Sequence, residues 1–211
     1  LIDLSAVTLA VLAGGRGERM GTPKAWLELD QQPILQWLLA RLKWAGPTML
    51  VSAPSVIHPP GCGLFDREVT DPVDGSGPLQ GIMTALTNLA TPTAVAITVD
   101  MPGVTPSFLT WLARSLEAKP GCHGIMCSIV EHDERHIQPF PSIFRLAARG
   151  DIAKRLERGQ LSVQRLCMEP GFAVIEPPAD LPPEVWINLN SPVDLAEFNA
   201  SHHFPNRKNT Q

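Results

Sequence analysis

The run Val7-Thr-Leu-Ala-Val-Leu-Ala13 passes without a break into a loop holding Gly14, Gly15, Gly17 and Gly21, four glycines in eight positions. A short apolar run bounded by turn residues reads as a buried strand. Glycine permits positive φ and lets backbone N–H groups come close to a ligand. Successive inward-pointing N–H groups make a concave anion site, and Arg16, Arg19 and Lys24 add cations suited to a polyphosphate. A strand feeding directly into such a loop is a nucleotide-binding arrangement.

Two familiar glycine signatures do not fit. The dinucleotide pattern G-x-G-x-x-G, counted from Gly15, meets Met20 where its last glycine belongs. The pattern G-x-x-x-x-G-K-[ST] fails because Lys24 follows Pro23 and precedes Ala25. The bland reading, a turn that merely needs glycine, sits poorly with this density of glycines and three cations.

A chain of 211 residues suits one domain. The expectation is a single unit over 1–200 with a polar tail from Ser201 onward. The net charge of −4 argues against a broad nucleic-acid footprint but not against an anionic ligand in a local cationic loop. The four cysteines, Cys62, Cys122, Cys127 and Cys167, show no C-x-x-C spacing, so reduced thiols in a cytoplasmic protein are the default. No apolar run approaches the ~18 residues of a membrane span, and the start lacks a signal-peptide pattern.

Along the chain, Trp26 to Pro33 reads as a short extended piece and a turn. Ile34 to Trp44 carries apolar residues at helical spacing, with Gly46-Pro47 as its stop. Met49 to Ser52 reads as a second strand, which completes a βαβ unit with the loop at a strand's carboxyl end, where open α/β sheets bind ligands. Glu68 to Asp71 suits a short strand and Leu79 to Leu89 a helix. Ala94 to Val99 suits a buried strand, Pro106 to Lys119 an amphipathic helix and Gly124 to Val130 another strand. This alternation points to a mainly parallel sheet.

The last third is less regular. A turn is expected at His132 to Arg135, extended chain from Ile137 to Phe144, and a helix from Ser142 or Arg145 to Arg158. Ser162 would cap a short helix through Leu166. Strands are expected at Phe172 to Ile175 and Trp186 to Asn190, and a helix from Pro192 to Ala200. The tryptophans lie mostly at apolar helical positions and read as core.

Four constellations carry chemistry. The first is the glycine loop with Arg19 and Lys24. Phosphoryl transfer asks for positioning and for charge opposite developing negative oxygens, and one preorganised donor lowers such a barrier by about 3–4 kcal/mol. Lys24 is the side chain assigned there, with Pro23 fixing the backbone before it. The second is Asp100, where an apolar strand stops at Met101-Pro102. A carboxylate at that edge suits Mg²⁺, which takes one or two carboxylates with substrate phosphates and water, although Pro102 and Pro106 also mark a turn that an aspartate could serve.

The third is Gly77-Pro-Leu-Gln-Gly81 after Asp71 and Ser76. Glycines at a helix start allow close backbone approach, and the helix N-terminus favours an anion or a polar ribose. The fourth is Asn188-Leu-Asn190-Ser-Pro192. On a strand Asn188 and Asn190 share a face. Either Asn190 caps the following helix or both line a polar cleft. His132, Asp133, Glu134 and His136 match no standard zinc spacing and read as an exposed turn.

Together, Leu12-Ala-Gly-Gly-Arg-Gly-Glu-Arg-Met-Gly-Thr-Pro-Lys24, Gly77-Pro-Leu-Gln-Gly81, Asp100-Met-Pro102 and Asn188-Leu-Asn-Ser-Pro192 resemble the molybdenum cofactor guanylyltransferase family within the nucleotidyltransferase superfamily. The likeness covers about residues 7 to 200. It implies a Rossmann-like three-layer α/β fold, a mainly parallel sheet with helices on both faces and an irregular C-terminal third. It implies transfer of GMP from GTP to the terminal phosphate of molybdopterin with loss of pyrophosphate, Mg²⁺ as cofactor, and cofactor-handling proteins as partners.

By position, the resemblance has Leu12, Ala13, Gly14 and Gly15 hold the nucleotide together with Gly77, Pro78, Leu79 and Gly81. Lys24 contacts phosphates, Asp71 approaches ribose or base, and Asp100 binds Mg²⁺. Asn188 and Asn190 face the pterin side. Lys24, Arg19 and Asp100 are the catalytic candidates. The chain departs from the family at Pro23, where an aspartate is frequent, and at Ser52, where guanylyl enzymes tend to offer an asparagine near the base. Gly14-Gly15 favours guanine, because related cytidylyltransferases tend to carry Ala-Gly. The alternatives are cytidylyl transfer to the same cofactor, nucleotidyl transfer to a sugar phosphate, and a non-catalytic nucleotide sensor or cofactor carrier.

Overall fold

A strand buried on both faces needs hydrogen-bonded neighbours on both edges, and Val7–Leu12 has them. The computed structural model describes residues 2–15, 17–56, 58–131 and 133–201. Strand β1 (Val7–Leu12) is buried at every position. It is followed by a tight hairpin of β2 (Glu28–Leu29) and β3 (Gln32–Pro33). Asp30 and Gln31 both take positive φ there, as a two-residue hairpin turn requires.

Then come α1 (Ile34–Leu42), β4 (Thr48–Ser52), β5 (Arg67–Thr70), α2 (Gly77–Thr87), β6 (Thr93–Thr98) and α3 (Pro106–Glu117). The chain continues through β7 (Gly124–Glu131), β8 (Glu134–Arg145), α4 (Ala148–Glu157), β9 (Phe172–Ile175) and α5 (Pro192–Ser201).

The main sheet has seven strands in the order β5-β4-β1-β6-β8-β7-β9. Pairs β1–β4, β1–β6, β4–β5 and β7–β9 are parallel, and β8 runs against both β6 and β7. This is a Rossmann-like, mostly parallel α/β fold. From β1 the chain moves to β4 and β5 on one side, then returns to β6 on the other. Ligands bind at such a switch point, beyond the strands' carboxyl ends. Leu12 registers with Val51 of β4 and Thr98 of β6, so three strand ends meet at one level.

Helix α2 packs against β1, β4, β5 and β6, and α3 against β6, β7 and β8. Leu9, Val11, Leu50, Val95, Ile97, Ile82 and Leu109 belong to one continuous apolar core. All four cysteines are unpaired with one another. Among the described residues no helix is long and apolar enough to cross a membrane.

Several expectations need correction. Helix α1 ends at Leu42, because Lys43 takes a left-handed conformation and donates its N–H to Leu39 O; Gly46-Pro47 comes too late to matter. Ser142 to Arg145 do not begin a helix. They finish β8, whose Arg145, Phe144, Ile143 and Ser142 pair with Thr93 to Ala96 and satisfy the second edge of β6. The helix expected from Ser162 is a 3-10 turn, Gln164–Met168.

Trp186 to Asn190 is not a sheet strand. Pro183–Trp186 winds as a 3-10 turn, and within the segment after it Leu189 N–H donates to Asp100 O at 2.9 Å. Trp26 is half exposed instead of buried in the core. Arg16, His132 and the tail beyond Ser201, all named in the sequence reading, lie outside the described residues.

Candidate active site

The strand ends open into a cavity of about 690 Å³, within the range of small-molecule sites. Leu12, Gly14 and Gly15 border it from β1, Val51 and Ala53 from β4, and Thr98 to Asp100 from β6. Asp71 borders it after β5, and Ser76, Gly77, Pro78 and Gly81 at the start of α2.

The glycine loop folds back on itself. Gly17 holds φ +63°, and a Cβ there would come within 1.9 Å of Thr22 O. Only glycine fits that close approach. The turn returns the chain so that Lys24 N–H donates to Gly15 O at 3.3 Å and the Lys24 stem lies against Gly15. Pro23, at φ −55°, then leads into a 3-10 turn, Lys24–Trp26.

From this position Lys24 reaches across the cavity. Its Nζ donates to Asp100 Oδ2 in a close ion pair and to Asn190 Oδ1 at 2.7 Å. Asp100 is buried, two residues past β6, and its Oδ1 has no partner among the described residues. An unpaired buried carboxylate oxygen is costly, and this atom could accept a bond from a cation in the cavity. A close backbone approach holds the third member. A Cβ on Gly103 would fall 1.8 Å from Glu184 O, so the Pro183–Trp186 turn lies directly on the loop after Asp100. That contact and the Leu189–Asp100 bond carry Asn190 to Lys24.

Asn190 does not cap α5. Ser191 Oγ accepts from Asp194 N–H at 3.3 Å, and Asp194 Oδ2 accepts from Asn190 N–H and Ser191 N–H, each at 2.8 Å. This reciprocal cap leaves the Asn190 side chain to the cavity. The Asn190 N–H, with the Ser191 groups and the Arg19 guanidinium helping, holds the Asp194 carboxyl below its usual range. Arg19 lines the cavity as an exposed side chain.

Asp71 N–H donates to Ser52 O at 2.8 Å, continuing the β4–β5 ladder and fixing the residue at the wall. Its Oδ1 is buried without a partner among the described residues, and burial pushes the carboxyl above the usual aspartate range, the Thr84 hydroxyl pulling the other way. Beside it α2 begins at Gly77 with no side-chain cap, and Gly77 and Pro78 of its first turn line the cavity.

The cavity therefore brings together Leu12, Gly14, Gly15, Arg19, Lys24, Asp71, Gly77, Pro78, Gly81, Asp100 and Asn190. Three expected residues do not line it. Ala13 and Leu79 are fully buried in the core. Asn188 donates Nδ2 to Trp186 O at 2.9 Å, because the irregular chain there breaks the two-residue alternation a strand would have imposed.

Ser52 does not face the site either; it is buried, and its hydroxyl lies on Val69 O and Thr70 Oγ1. Ala53 takes the wall position instead. Glu18, Val51, Thr98 and Val99 also border the cavity and were missed. Their only sequence signal is adjacency to the loop or to a strand end.

Residues 9–169 match the model of the MobA-like NTP transferase domain. A relative in Opitutus terrae, named "Probable molybdenum cofactor guanylyltransferase", is 30% identical over 209 residues, covering 95% of this chain and 98% of its own. The "Molybdenum cofactor guanylyltransferase" of Vibrio cholerae is 26% identical over 200 residues, 94% of each chain.

Among solved structures, molybdopterin-guanine dinucleotide biosynthesis protein A from Archaeoglobus fulgidus superposes with a TM-score of 0.76 at 23% identity, covering 92% of this chain and 97% of that one. A 2-C-methyl-D-erythritol 4-phosphate cytidylyltransferase from Thermus thermophilus shares the fold at a TM-score of 0.66 and 19% identity, over 91% and 97% of the two chains. The chain belongs to the MobA-like NTP transferase family, and the two relatives above are named as a molybdenum cofactor guanylyltransferase and a probable one.

Proposed function

We propose that this chain transfers GMP from GTP to the terminal phosphate of molybdopterin and releases pyrophosphate. One observation carries the chemistry: Lys24 from the glycine loop, Asp100 from the end of β6 and Asn190 from the C-terminal segment converge across one cavity. The relatives' names support the choice of substrates.

In the reaction an oxygen of the acceptor phosphate attacks the α-phosphorus of GTP. The bond from that phosphorus to the bridging oxygen breaks, and pyrophosphate leaves with the electron pair. The acceptor is already anionic, so no side chain has to remove a proton. Lys24 carries the charge that meets the phosphates, with Asn190 limiting its motion. The first N–H groups of α2 and the unpartnered Asp71 Oδ1 offer a donor edge and an acceptor to the nucleoside.

The residues fit Mg²⁺. Asp100 Oδ1 is a hard oxygen without a partner at the wall that Lys24 shares, and this ion takes one or two carboxylates plus phosphates. Asp100 would hold it, and when bound it would supply neutralising charge to the triphosphate and the departing pyrophosphate.

A cytidylyl reading has one observation in its favour: the β4 wall residue is Ala53, which has no polar group with which to select guanine. Pyrophosphate release from labelled GTP and CTP in competition, with Mg²⁺ and molybdopterin, separates the two. GTP consumption is expected to dominate. Turnover of CTP alone would replace guanylyl by cytidylyl transfer, and nucleotide binding without pyrophosphate would make the chain a sensor.

A further inference from the structure

Outside the cavity, the connection from β4 to β5 gathers three side chains of a different chemical character. His58 Nδ1 lies 2.9 Å from Glu68 Oε2, and His58 N–H donates to Glu68 Oε1 at 3.0 Å. Ligand atoms of His58, Cys62 and Glu68 all fall within 4.8 Å of one another. We propose that these three residues form a second metal site, selective for Zn²⁺ over Mg²⁺.

The donor set argues for the ion. A thiolate, an imidazole and one carboxylate suit a borderline cation such as Zn²⁺, whereas Mg²⁺ and Ca²⁺ take oxygen donors throughout. Zinc bonds of 2.0–2.3 Å place tetrahedral ligand atoms about 3.5 Å apart, so side-chain movements of the order of 1 Å complete the cluster.

The backbone is set for it. Glu68 stands on β5, in register with Leu50 of β4. Cys62 opens a 3-10 turn, Cys62–Leu64, behind Gly61 at φ +89°. His58 holds a left-handed φ of 50°, an uncommon conformation in which histidine is one of the enriched non-glycine residues and to which local hydrogen bonds lend support. Glu68 provides that support through both carboxylate oxygens.

A divalent ion would displace the Cys62 thiol proton, which passes to solvent. The resulting thiolate and carboxylate balance the ion's charge. The His58 side chain is 77% exposed, so the fourth position opens to water and the ion exchanges. Ala53 begins the same connection and Asp71 follows Glu68 by three residues; both line the nucleotide cavity, so an ion here would fasten one of its walls.

The test is a titration of the full chain, stripped with chelator and kept in excess Mg²⁺, with Co²⁺ as a spectroscopic stand-in for Zn²⁺. One equivalent is expected to raise a sulfur-to-cobalt charge-transfer band that Zn²⁺ abolishes. Cys62→Ser should remove the band, and His58→Ala, at an exposed position, should weaken binding by at least about tenfold. Cys167→Ser and Asp100→Asn should leave it unchanged. Absence of the band in the parent chain, its persistence in Cys62→Ser, or equal affinity in His58→Ala would overturn the assignment. Circular dichroism of each variant shows that the fold is retained.

Discussion

Lys24 and Asp100 stand 76 positions apart and share an ion pair at the cavity, where Asn190 Oδ1 takes a second bond from the same ammonium. The pair joins the loop after β1 to the end of β6, the two elements that flank the sheet's switch point. Replacing Lys24 by Ala should lower kcat by ~10²–10³-fold, the usual loss for one preorganised donor. Asp100→Asn should raise the Mg²⁺ concentration needed for half-maximal rate, and Lys24→Ala should not. Pyrophosphate release at varied Mg²⁺ measures both.

Asn190 and Asn188 should behave differently although they are two residues apart. Asn190→Ala removes a neutral partner of Lys24, a loss of about 1 kcal/mol or roughly fivefold to tenfold in kcat/KM. Asn188→Ala breaks only a local bond to Trp186 O and should leave kcat/KM unchanged. Equal effects would mean that the segment rearranges when substrate binds.

Asp71 predicts a pH-dependent stability. Burial raises its carboxyl above the ordinary value of 3.8. Below that ordinary value both folded and unfolded chains carry the proton, and its favourable contribution is fully present. As the pH rises through the folded-state value the unfolded chain has already lost its proton, so the contribution disappears. Asp71→Asn should therefore raise the melting temperature of the nucleotide-free protein at pH 7, with the gain shrinking toward pH 4. The same variant should weaken GTP binding. Thermal melts at the two pH values and a nucleotide titration check the pair of outcomes.

Gly17→Ala should damage the glycine loop. The left-handed conformation alone costs a non-glycine residue about 1–2 kcal/mol, and the added methyl collides with Thr22 O, so the loop must open. Because the return of the chain places Lys24, nucleotide affinity is expected to fall more than global stability. Comparing the GTP dissociation constant with the melting temperature tests this ordering.

Features set by neighbours in sequence were legible before the structure. The apolar run of β1, the glycines that follow it, Lys24 and the carboxylate ending the β6 run all announce themselves within a few residues. Boundaries failed where a distant partner overruled local preference. Ser142 to Arg145 had helical company in sequence, but the free edge of β6 claimed them. Trp186 to Asn190 had strand composition, yet its anchoring bond runs to the carbonyl of Asp100, and its path follows the contact of Glu184 O with Gly103.

By itself, then, the sequence determined an α/β chain with a glycine-rich loop near its start and the two charged residues, Lys24 and Asp100, that meet at the cavity. Periodicity, glycine freedom and charge are local properties and survive without coordinates. Only the tertiary structure decided that Asn190 meets Lys24 across 166 positions, that Ser191 and Asp194 cap α5, and that Ala53 replaces Ser52 at the wall. Those choices depend on strand order and on which backbone groups remain unpaired once the sheet has formed, and no spacing along the chain encodes either one.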